Sequence, residues 1–292
     1  MPTDGLSGLL IGHDWFCSDE FSSSPSANIL ASHQLSDTGT LVQDELSISE
    51  EFLNFKNVIL EQSFHGKKVS SSKIAGPNAP LFSTCSDPAS KFSALQAVKH
   101  WISTGIPAKK LILGIPSYGY AYTLKSNNLT ETKFSGDSKK TSHLFQSTTG
   151  VPPKAGKTAN VGGDKDACGN FNPPGGPWLY KELSGTKKLT SNAKKGLGGF
   201  ERHYNSCTQT VLDIFLRNFP HSSPLNQSYL EKHQPFIFNP ETCSLISYND
   251  PTSFRAKAKF VLRHGLACVE VFDATGDTDD KILLRSVWKV LA

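Results

Sequence analysis

The sequence contains no apolar run close to the ~20 residues that a membrane-spanning helix requires. Its first residues include no basic segment followed by an apolar one, so we expect no signal peptide in this chain and no membrane partner. The net charge is also small, at +4. The paired lysines are scattered among Ser, Thr and Gly rather than aligned on one helix face, which argues against a nucleic-acid partner.

Patterns that bind metals are missing as well. The six cysteines contain no C-x-x-C pair and no cluster with histidine, so we expect no metal site and no cofactor. Two Asn-x-Ser/Thr sequons, at Asn128 and Asn226, suit a secreted protein, although such triplets also occur by chance.

The C-terminal part has clear boundaries. Asp250-Pro251 predicts an N-cap followed by proline at the first helical position. Apolar residues then recur at helical spacing, and His264-Gly265 ends the helix. The pattern next predicts a short strand over Ala267–Phe272 and a last amphipathic helix that includes Ile282 and Leu291.

A similar alternation lies upstream. The pattern predicts a helix over Ser90–Thr104 and a buried strand over Lys110–Pro116. Further back it predicts strands over Asn57–Leu60 and around Leu6–Ile11, with a helix near Ser26–Leu35. Strands that alternate with helices indicate an α/β protein with a parallel layer or barrel.

Between Tyr118 and Tyr248 this alternation breaks into a long polar stretch rich in Gly and Pro. A structureless loop of that length is uncommon inside a compact domain. We therefore expect an inserted subdomain built from short strands.

Four segments resemble family 18 glycoside hydrolases, the chitinases. Lys110–Leu124 resembles their seventh barrel strand, and Phe236–Asp277 resembles the end of their inserted domain, the next helix and the eighth strand. Gly76–Leu81 resembles the loop after the sixth strand of fungal members, and Asp166–Trp178 resembles the core of the insertion. The segments occur in family order over most of the chain from about Val58 onward.

The resemblance implies an incomplete TIM (β/α)8 barrel, from the fourth to the eighth strand, with an α+β chitinase insertion subdomain. The barrel would occupy residues 1–117 and 248–292, and the insertion residues 118–247. Residues 211–232 have no family counterpart, and we interpret them as a translated intron. The first three strands have no counterpart either, which would leave open sheet edges.

The family's catalytic motif is altered. Members carry D-x-x-D-x-D-x-E on the fourth strand, and the final Glu protonates the glycosidic oxygen. An alignment on Asp14-Trp15 leaves Asp14 as a vestige and places Phe16 at the acid position. An alignment on Asp4 places Ile11 there. Neither side chain can donate a proton.

The resemblance also assigns substrate contacts. The sixth-strand Tyr and Asp that hold the acetamido group are replaced by Gln62 and Ser63. Tyr118 and Arg202 match family sugar contacts, and Phe272 stands where a Trp forms the floor for the scissile sugar. Each also has a plain structural interpretation, as a packed aromatic or, for Arg202, a loop residue. The ligand would be chitin or a chitooligosaccharide, and the location extracellular.

Four cysteines match fungal positions. The resemblance implies Cys17–Cys85 and Cys168–Cys207 disulfides in an oxidising compartment. Cys243 and Cys268 are expected to be free thiols.

Three hypotheses follow from these residues. The first is a degenerate chitinase fragment without catalysis, and the second is a lectin-like protein that keeps a chitin-binding groove. The third is an active enzyme with a relocated acid, for which Asp19, Glu20 and Glu61 are the nearby carboxylates. The losses at Phe16, Gln62 and Ser63 favour the first two. The missing strands favour the first over the second, because a binding groove requires a rigid scaffold.

Overall fold

The computed structural model describes residues 13–17, 28–31, 57–61, 73–82, 93–133, 141–151, 177–186, 188–204, 235–272 and 274–291. The strands are β1 (His13–Cys17), β2 (Asn28–Ala31), β3 (Asn57–Glu61), β4 (Leu111–Pro116), β5 (Tyr118–Thr123), β6 (Thr132–Lys133), β7 (Thr141–Ser142), β8 (Trp178–Leu179), β9 (Glu201–Tyr204), β10 (Pro235–Asn239), β11 (Ser244–Ser247) and β12 (Cys268–Phe272). The helices are α1 (Ala94–Ser103), α2 (Tyr180–Gly185), α3 (Pro251–His264) and α4 (Ile282–Leu291).

A five-stranded sheet has the order β1-β12-β4-β3-β2. Strands β2, β3, β4 and β12 are parallel, as the alternating sequence pattern predicts. Strand β1 pairs antiparallel with β12. Within the described part of the chain the sheet is open, with β1 and β2 at its edges.

Two expectations for the N-terminal region need correction. The helix expected near Ser26–Leu35 is wrong at Asn28–Ala31, which forms an edge strand parallel to β3. Its Ile-Leu core suits a buried strand as well as a helix, and the position beside β3 decides between them. The strand expected around Leu6–Ile11 lies outside the described residues. A (β/α)8 barrel contains only parallel strands. Strand β1, in contrast, is antiparallel to its neighbour β12.

Two of the helices begin at side chains that cap them, and α1 begins at Ala94 rather than at the predicted Ser90. Ser93 accepts a hydrogen bond from the backbone N–H of Gln96 at the start of α1. Asp250 caps α3 through the N–H of Ser253, and Gly265 ends it with a φ of 60°. None of the helices in the described ranges is long and apolar enough to cross a membrane.

The two faces of the parallel sheet have different neighbours. The odd-numbered residues of β4 and β12 belong to the main hydrophobic core together with residues of α1, α3 and α4. The residues of this helix-facing side are Leu111, Leu113, Ile115, Val269 and Val271. Because successive strand residues alternate between faces, the even-numbered residues lie on the opposite side. We call this side the inner face; on β4 and β12 it consists of Ile112, Gly114, Pro116, Cys268, Glu270 and Phe272.

A second sheet is antiparallel and has the order β8-β5-β11-β10-β9. The short strands expected between Tyr118 and Tyr248 are thus present, although the exact domain boundaries stay predictions. Its outer side packs as a smaller core around Tyr122, Phe236 and Leu245. Gly119 allows β5 and β11 to approach, because a Cβ there would lie 2.3 Å from the carbonyl oxygen of Ser247.

Candidate functional site

An aromatic cluster lies where two neighbouring parallel strands end. Phe272 is the last residue of β12, and Tyr118 follows β4, whose Pro116 is paired with Phe272. The Tyr118 ring makes edge contacts with Phe272 and with Tyr120, at centroid distances of 6.4 and 5.7 Å. Tyr118 is buried, whereas Phe272 and Tyr120 are half-buried. The structure therefore brings together two of the three residues predicted to bind substrate.

Asn78 connects the loop Gly76–Leu81 to residues beside this aromatic cluster through two hydrogen bonds. Its Nδ2 donates to the backbone oxygen of Tyr118 at 2.6 Å, and its backbone N–H donates to Ser247 Oγ at 3.0 Å. The Oδ1 atom of Asn78 is buried and has no hydrogen-bond partner among the described residues. The sequence indicated the loop Gly76–Leu81 but assigned no role to this side chain.

Glu270 is a buried acid on the inner face, and sequence reasoning missed it. It is 2% exposed and lies two residues before Phe272 on the same face of β12. A carboxylate between Val269 and Val271 in a strand that is otherwise apolar was the signal available in the sequence. Buried carboxylates are uncommon unless a charge or a hydrogen-bond network compensates them.

The pairing of β1 with β12 determines which residues lie opposite the altered catalytic motif. Asp14 is paired with Val271, and Phe16 is paired with Val269. Directly paired residues share a face of a sheet, and both valines belong to the helix-facing core. In this register the backbones of Asp14 and Phe16 are paired with residues of the helix-facing core, and that of Trp15 is paired with Glu270.

The register of β3 places one further acid in the same row. Glu61 is paired with Gly114, which is itself paired with Glu270. The row therefore reads Glu61, Gly114, Glu270 and Trp15 across four strands.

Several other predicted positions lie outside the described residues, namely Ile11, Asp19, Glu20, Gln62, Ser63, Cys85, Cys168, Cys207 and the insert 211–232.

Arg202, the third predicted substrate residue, has partners within the protein. Its guanidinium contacts the Asp250 carboxylate at 2.5 Å and donates from Nε to the Tyr248 hydroxyl at 3.1 Å. It also lies over the Tyr204 ring, 4.1 Å from the centroid. Burial alone would lower the pKa of Arg202, but Tyr248 and Asp250 together raise it. A sugar contact for Arg202 stays a prediction, and in this structure its charge is compensated by Asp250.

Tyr180 borders the same ion pair. Its side chain is fully buried, and its hydroxyl has no hydrogen-bond partner among the described residues. Burial and the nearby Asp250 carboxylate raise the pKa of Tyr180 well above its usual range. The raised pKa keeps the phenol in its neutral form.

The side chains of two cysteines, Cys243 and Cys268, lie among the described residues. Cys243 is a free thiol, as expected, whereas Cys268 is disulfide-bonded, so the expectation that it is free was wrong. The backbone of Cys268 is paired with that of Cys17. The Cys17–Cys85 and Cys168–Cys207 disulfides stay predictions, because each involves residues outside the described ranges.

A metal centre is not visible in the part of the chain described. No group of three His, Cys, Asp or Glu side chains there is arranged to hold a metal ion. What the site can offer is aromatic surface, provided by the half-buried Tyr120 and Phe272 that contact the buried Tyr118 ring, together with the buried acceptor oxygen of Asn78. Aromatic faces stack on the apolar faces of ring-shaped ligands, and acceptors fix their orientation.

Residues 44–277 match the family model described as Glycosyl hydrolases family 18. A chitinase-like effector of Moniliophthora roreri is 30% identical over 213 residues, which are 73% of this chain and 45% of the relative. A chitinase-like effector of Moniliophthora perniciosa is 27% identical over 215 residues, which are 73% of this chain and 41% of the relative. The chain spans less than half the length of these two relatives.

Solved structures with a similar fold include a chitinase from Rhizomucor miehei. It has a TM-score of 0.63 at 17% identity and covers 94% of this chain and 63% of its own. Human YKL-39, described as a pseudo-chitinase with retained chitooligosaccharide binding properties, has a TM-score of 0.54 at 18% identity. That match covers 83% of this chain and 52% of YKL-39. At these identities the likeness shows the fold alone.

Proposed function

The chain belongs to glycosyl hydrolase family 18, and from this premise we propose that it binds chitooligosaccharides without cleaving them. The observation that carries the proposal is the edge contact of Tyr118 with Phe272 at the ends of β4 and β12. Ligand groups in barrel enzymes of this kind lie at the C-terminal ends of the strands. An aromatic surface in that place can stack on the faces of sugar rings.

The loss of cleavage follows from proton supply. In one alignment of the catalytic motif the acid position holds Phe16, and in the other it holds Ile11. General acid catalysis typically contributes ~10²–10⁴-fold to a rate, and neither side chain has a proton to donate. The register of β1 pairs Phe16 with Val269, a residue of the helix-facing core. The known motif therefore offers no proton donor.

An extracellular location is part of the proposal. Cys268 is disulfide-bonded, and disulfides persist mainly in oxidising compartments. Several relatives are named oviduct-specific glycoproteins, and two are named chitinase-like effectors. Both kinds of name suit a protein that acts outside the cell.

Two assays on the purified chain test the proposal. Sedimentation with insoluble chitin should deplete the chain from solution, and a fluorogenic chitooligosaccharide should release no fluorophore above the buffer rate. Phe272→Ala should reduce the bound fraction because it removes stacking surface, and Tyr118→Ala should reduce it because it removes the ring that packs against Phe272. Trp288→Ala is the matched control, since this exposed aromatic lies on α4 and outside the aromatic cluster.

Binding of chitooligosaccharides and the absence of cleavage can be contradicted independently. No retention on chitin, from a chain that unfolds cooperatively and is therefore folded, would contradict binding and leave the degenerate-fragment hypothesis. Fluorophore release that Glu61→Gln abolishes would contradict the claim that cleavage is lost.

A further inference from the structure

We propose that Asn128 is a site of N-linked glycosylation, a covalent modification outside the aromatic cluster. The sequon Asn128-Leu129-Thr130 lies in the loop that follows β5. The inference shares the extracellular location with the proposed function and does not depend on sugar binding. Its basis is the way in which this loop presents the asparagine side chain to solvent.

The sequon has one inward and two outward side chains. Leu129 is half-buried and packs against the smaller core of the antiparallel sheet. Asn128 and Thr130, on either side of it, are exposed. The two side chains that define a sequon are therefore at the surface, while the middle residue anchors the loop. A buried asparagine could not carry a glycan, so the fold meets a requirement that the sequence alone could not test.

The loop keeps its conformation without the Asn128 side chain. The buried Gln146 accepts through Oε1 from the backbone N–H of Thr130 at 3.0 Å and from Thr130 Oγ1 at 3.1 Å. Its Nε2 donates to the backbone oxygen of Thr130 at 2.7 Å. The backbone N–H of Asn128 donates to Ser126 Oγ at 3.1 Å. None of these bonds uses Asn128 Nδ2, so a sugar attached to that atom leaves them intact.

The Asn128 amide loses little when it is modified. Its Nδ2 donates to Asn127 Oδ1 at 3.2 Å, and both side chains are exposed. An exposed hydrogen bond replaces one to water, so its net contribution to stability is small. A side-chain amide has two N–H donors, and a glycosylated amide keeps one of them. The contact with Asn127 can therefore persist beside the glycan.

The modification is a group transfer in which Asn128 Nδ2 is the nucleophile. It forms a bond to the anomeric carbon of an oligosaccharide carried on a polyprenyl diphosphate, and the bond from that carbon to the diphosphate oxygen breaks. The diphosphate leaves with the electron pair, and one Nδ2 proton passes to a base of the transferring enzyme. This transfer takes place in the secretory pathway. Cys268 is disulfide-bonded, which suits the oxidising conditions of the same pathway.

The test is translation of the full chain, fused behind a cleavable signal sequence, in the presence of microsomes from the endoplasmic reticulum. Asn226→Gln removes the other sequon, so that glycosylation of this background variant reports on Asn128. We expect most of the protease-protected chain to migrate more slowly on a gel, and an amidase that removes N-linked glycans to abolish the shift. Peptide mapping after the amidase should find Asn128 deamidated.

Three further changes in the same background separate the sequon from other effects. Thr130→Val keeps the shape of the side chain but removes the hydroxyl, and it should abolish the shift. Thr130→Ser keeps a sequon and should retain the shift. Asn127→Gln is the matched control, because this neighbouring amide is also exposed but belongs to no sequon.

Protection from protease shows that the chain has entered the lumen, so absence of the shift in the protected chain overturns the inference. A shift that persists in Asn128→Gln overturns it as well. The readout is taken in the lumen and does not require a folded variant. Glycosylation of Asn128 in a chain that is not retained on chitin contradicts the proposed function alone, and retention of a chain without the glycan contradicts this inference alone.

Discussion

The antiparallel sheet and the parallel sheet differ in the surroundings of their buried charges. Arg202, on β9 of the antiparallel sheet, is ion-paired with Asp250 and hydrogen-bonded to Tyr248. Glu270, on β12 of the parallel sheet, lies beneath the aromatic cluster at the strand ends where barrel proteins bind ligands. The first arrangement stabilises the fold, and the second lies beside the aromatic residues proposed to bind the sugar.

The largest expected effect is a loss of stability when the ion pair of Arg202 and Asp250 is broken. Asp250→Ala leaves the Arg202 guanidinium without its anion and removes the N-cap of α3. Breaking a buried pair by removing one partner typically costs about 3–5 kcal/mol. Denaturant unfolding should show a loss of this size in the free energy of unfolding.

Asp279→Ala is the control for this substitution, because Asp279 is exposed and should change stability by less than about 0.5 kcal/mol. Equal stability of the Asp250 and Asp279 variants would contradict the assignment of Asp250 as the compensating charge.

A pH-dependent effect is expected at Lys257. This lysine of α3 is fully buried and donates to Asn249 Oδ1. Burial lowers its pKa to about 7, although the nearby Asp250 raises it. In the unfolded chain the pKa is about 10.4, so the unfolded state binds more protons between these two values. Stability should therefore rise with pH from about 7 to about 10, and the cost of the buried charge is complete below about 7.

Lys257→Met should remove this rise. The measurement is the denaturant midpoint of both proteins at pH 6, 8 and 9.5, with Lys289→Met on the exposed surface of α4 as control. Parallel pH profiles for the original chain and Lys257→Met would contradict the lowered pKa.

A change at Phe272, in the aromatic cluster, should alter the affinity for the sugar and not the stability of the fold. Phe272→Ala removes the half-buried ring that contacts Tyr118 and should weaken binding of chitotetraose by about ten-fold. Phe272→Trp enlarges the stacking surface and should tighten binding. Intrinsic fluorescence titration of folded variants measures both, and equal affinities for the Ala and Trp variants would remove Phe272 from the site.

The smallest perturbation is chemical labelling of the thiols. A thiol reagent applied to the native, unreduced chain should modify Cys243 and leave Cys268 unmodified. Peptide mapping identifies the modified residue, and the Cys268 peptide should be found linked to another cysteine. Modification of Cys268 without reduction would contradict the disulfide.

The elements with strong local signals were predictable from the sequence. Helix α3 lies between Asp250 and Gly265, the cap and stop that the sequence indicates. Strands β4 and β12 also agree with their apolar runs. In each case a cap, a glycine or a continuous apolar segment acts on its own neighbours, so no knowledge of distant contacts is needed.

The edges and the site were less predictable, because they depend on partners distant in the sequence. Asn28–Ala31 is a strand because it pairs with β3, and β1 is antiparallel because it adds to the free side of β12. The resemblance identified Tyr118 and Phe272, but it gave no role to Glu270. The partners of Arg202 also required the fold, since Asp250 is 48 residues away in sequence.

Calorimetric titration of chitotetraose into the purified chain, with mass spectrometry of the sugar recovered afterwards, tests the central claim most directly. The account predicts saturable binding and recovery of intact tetramer after prolonged incubation. Recovery of shorter oligomers, or no heat of binding from the folded chain, would contradict it.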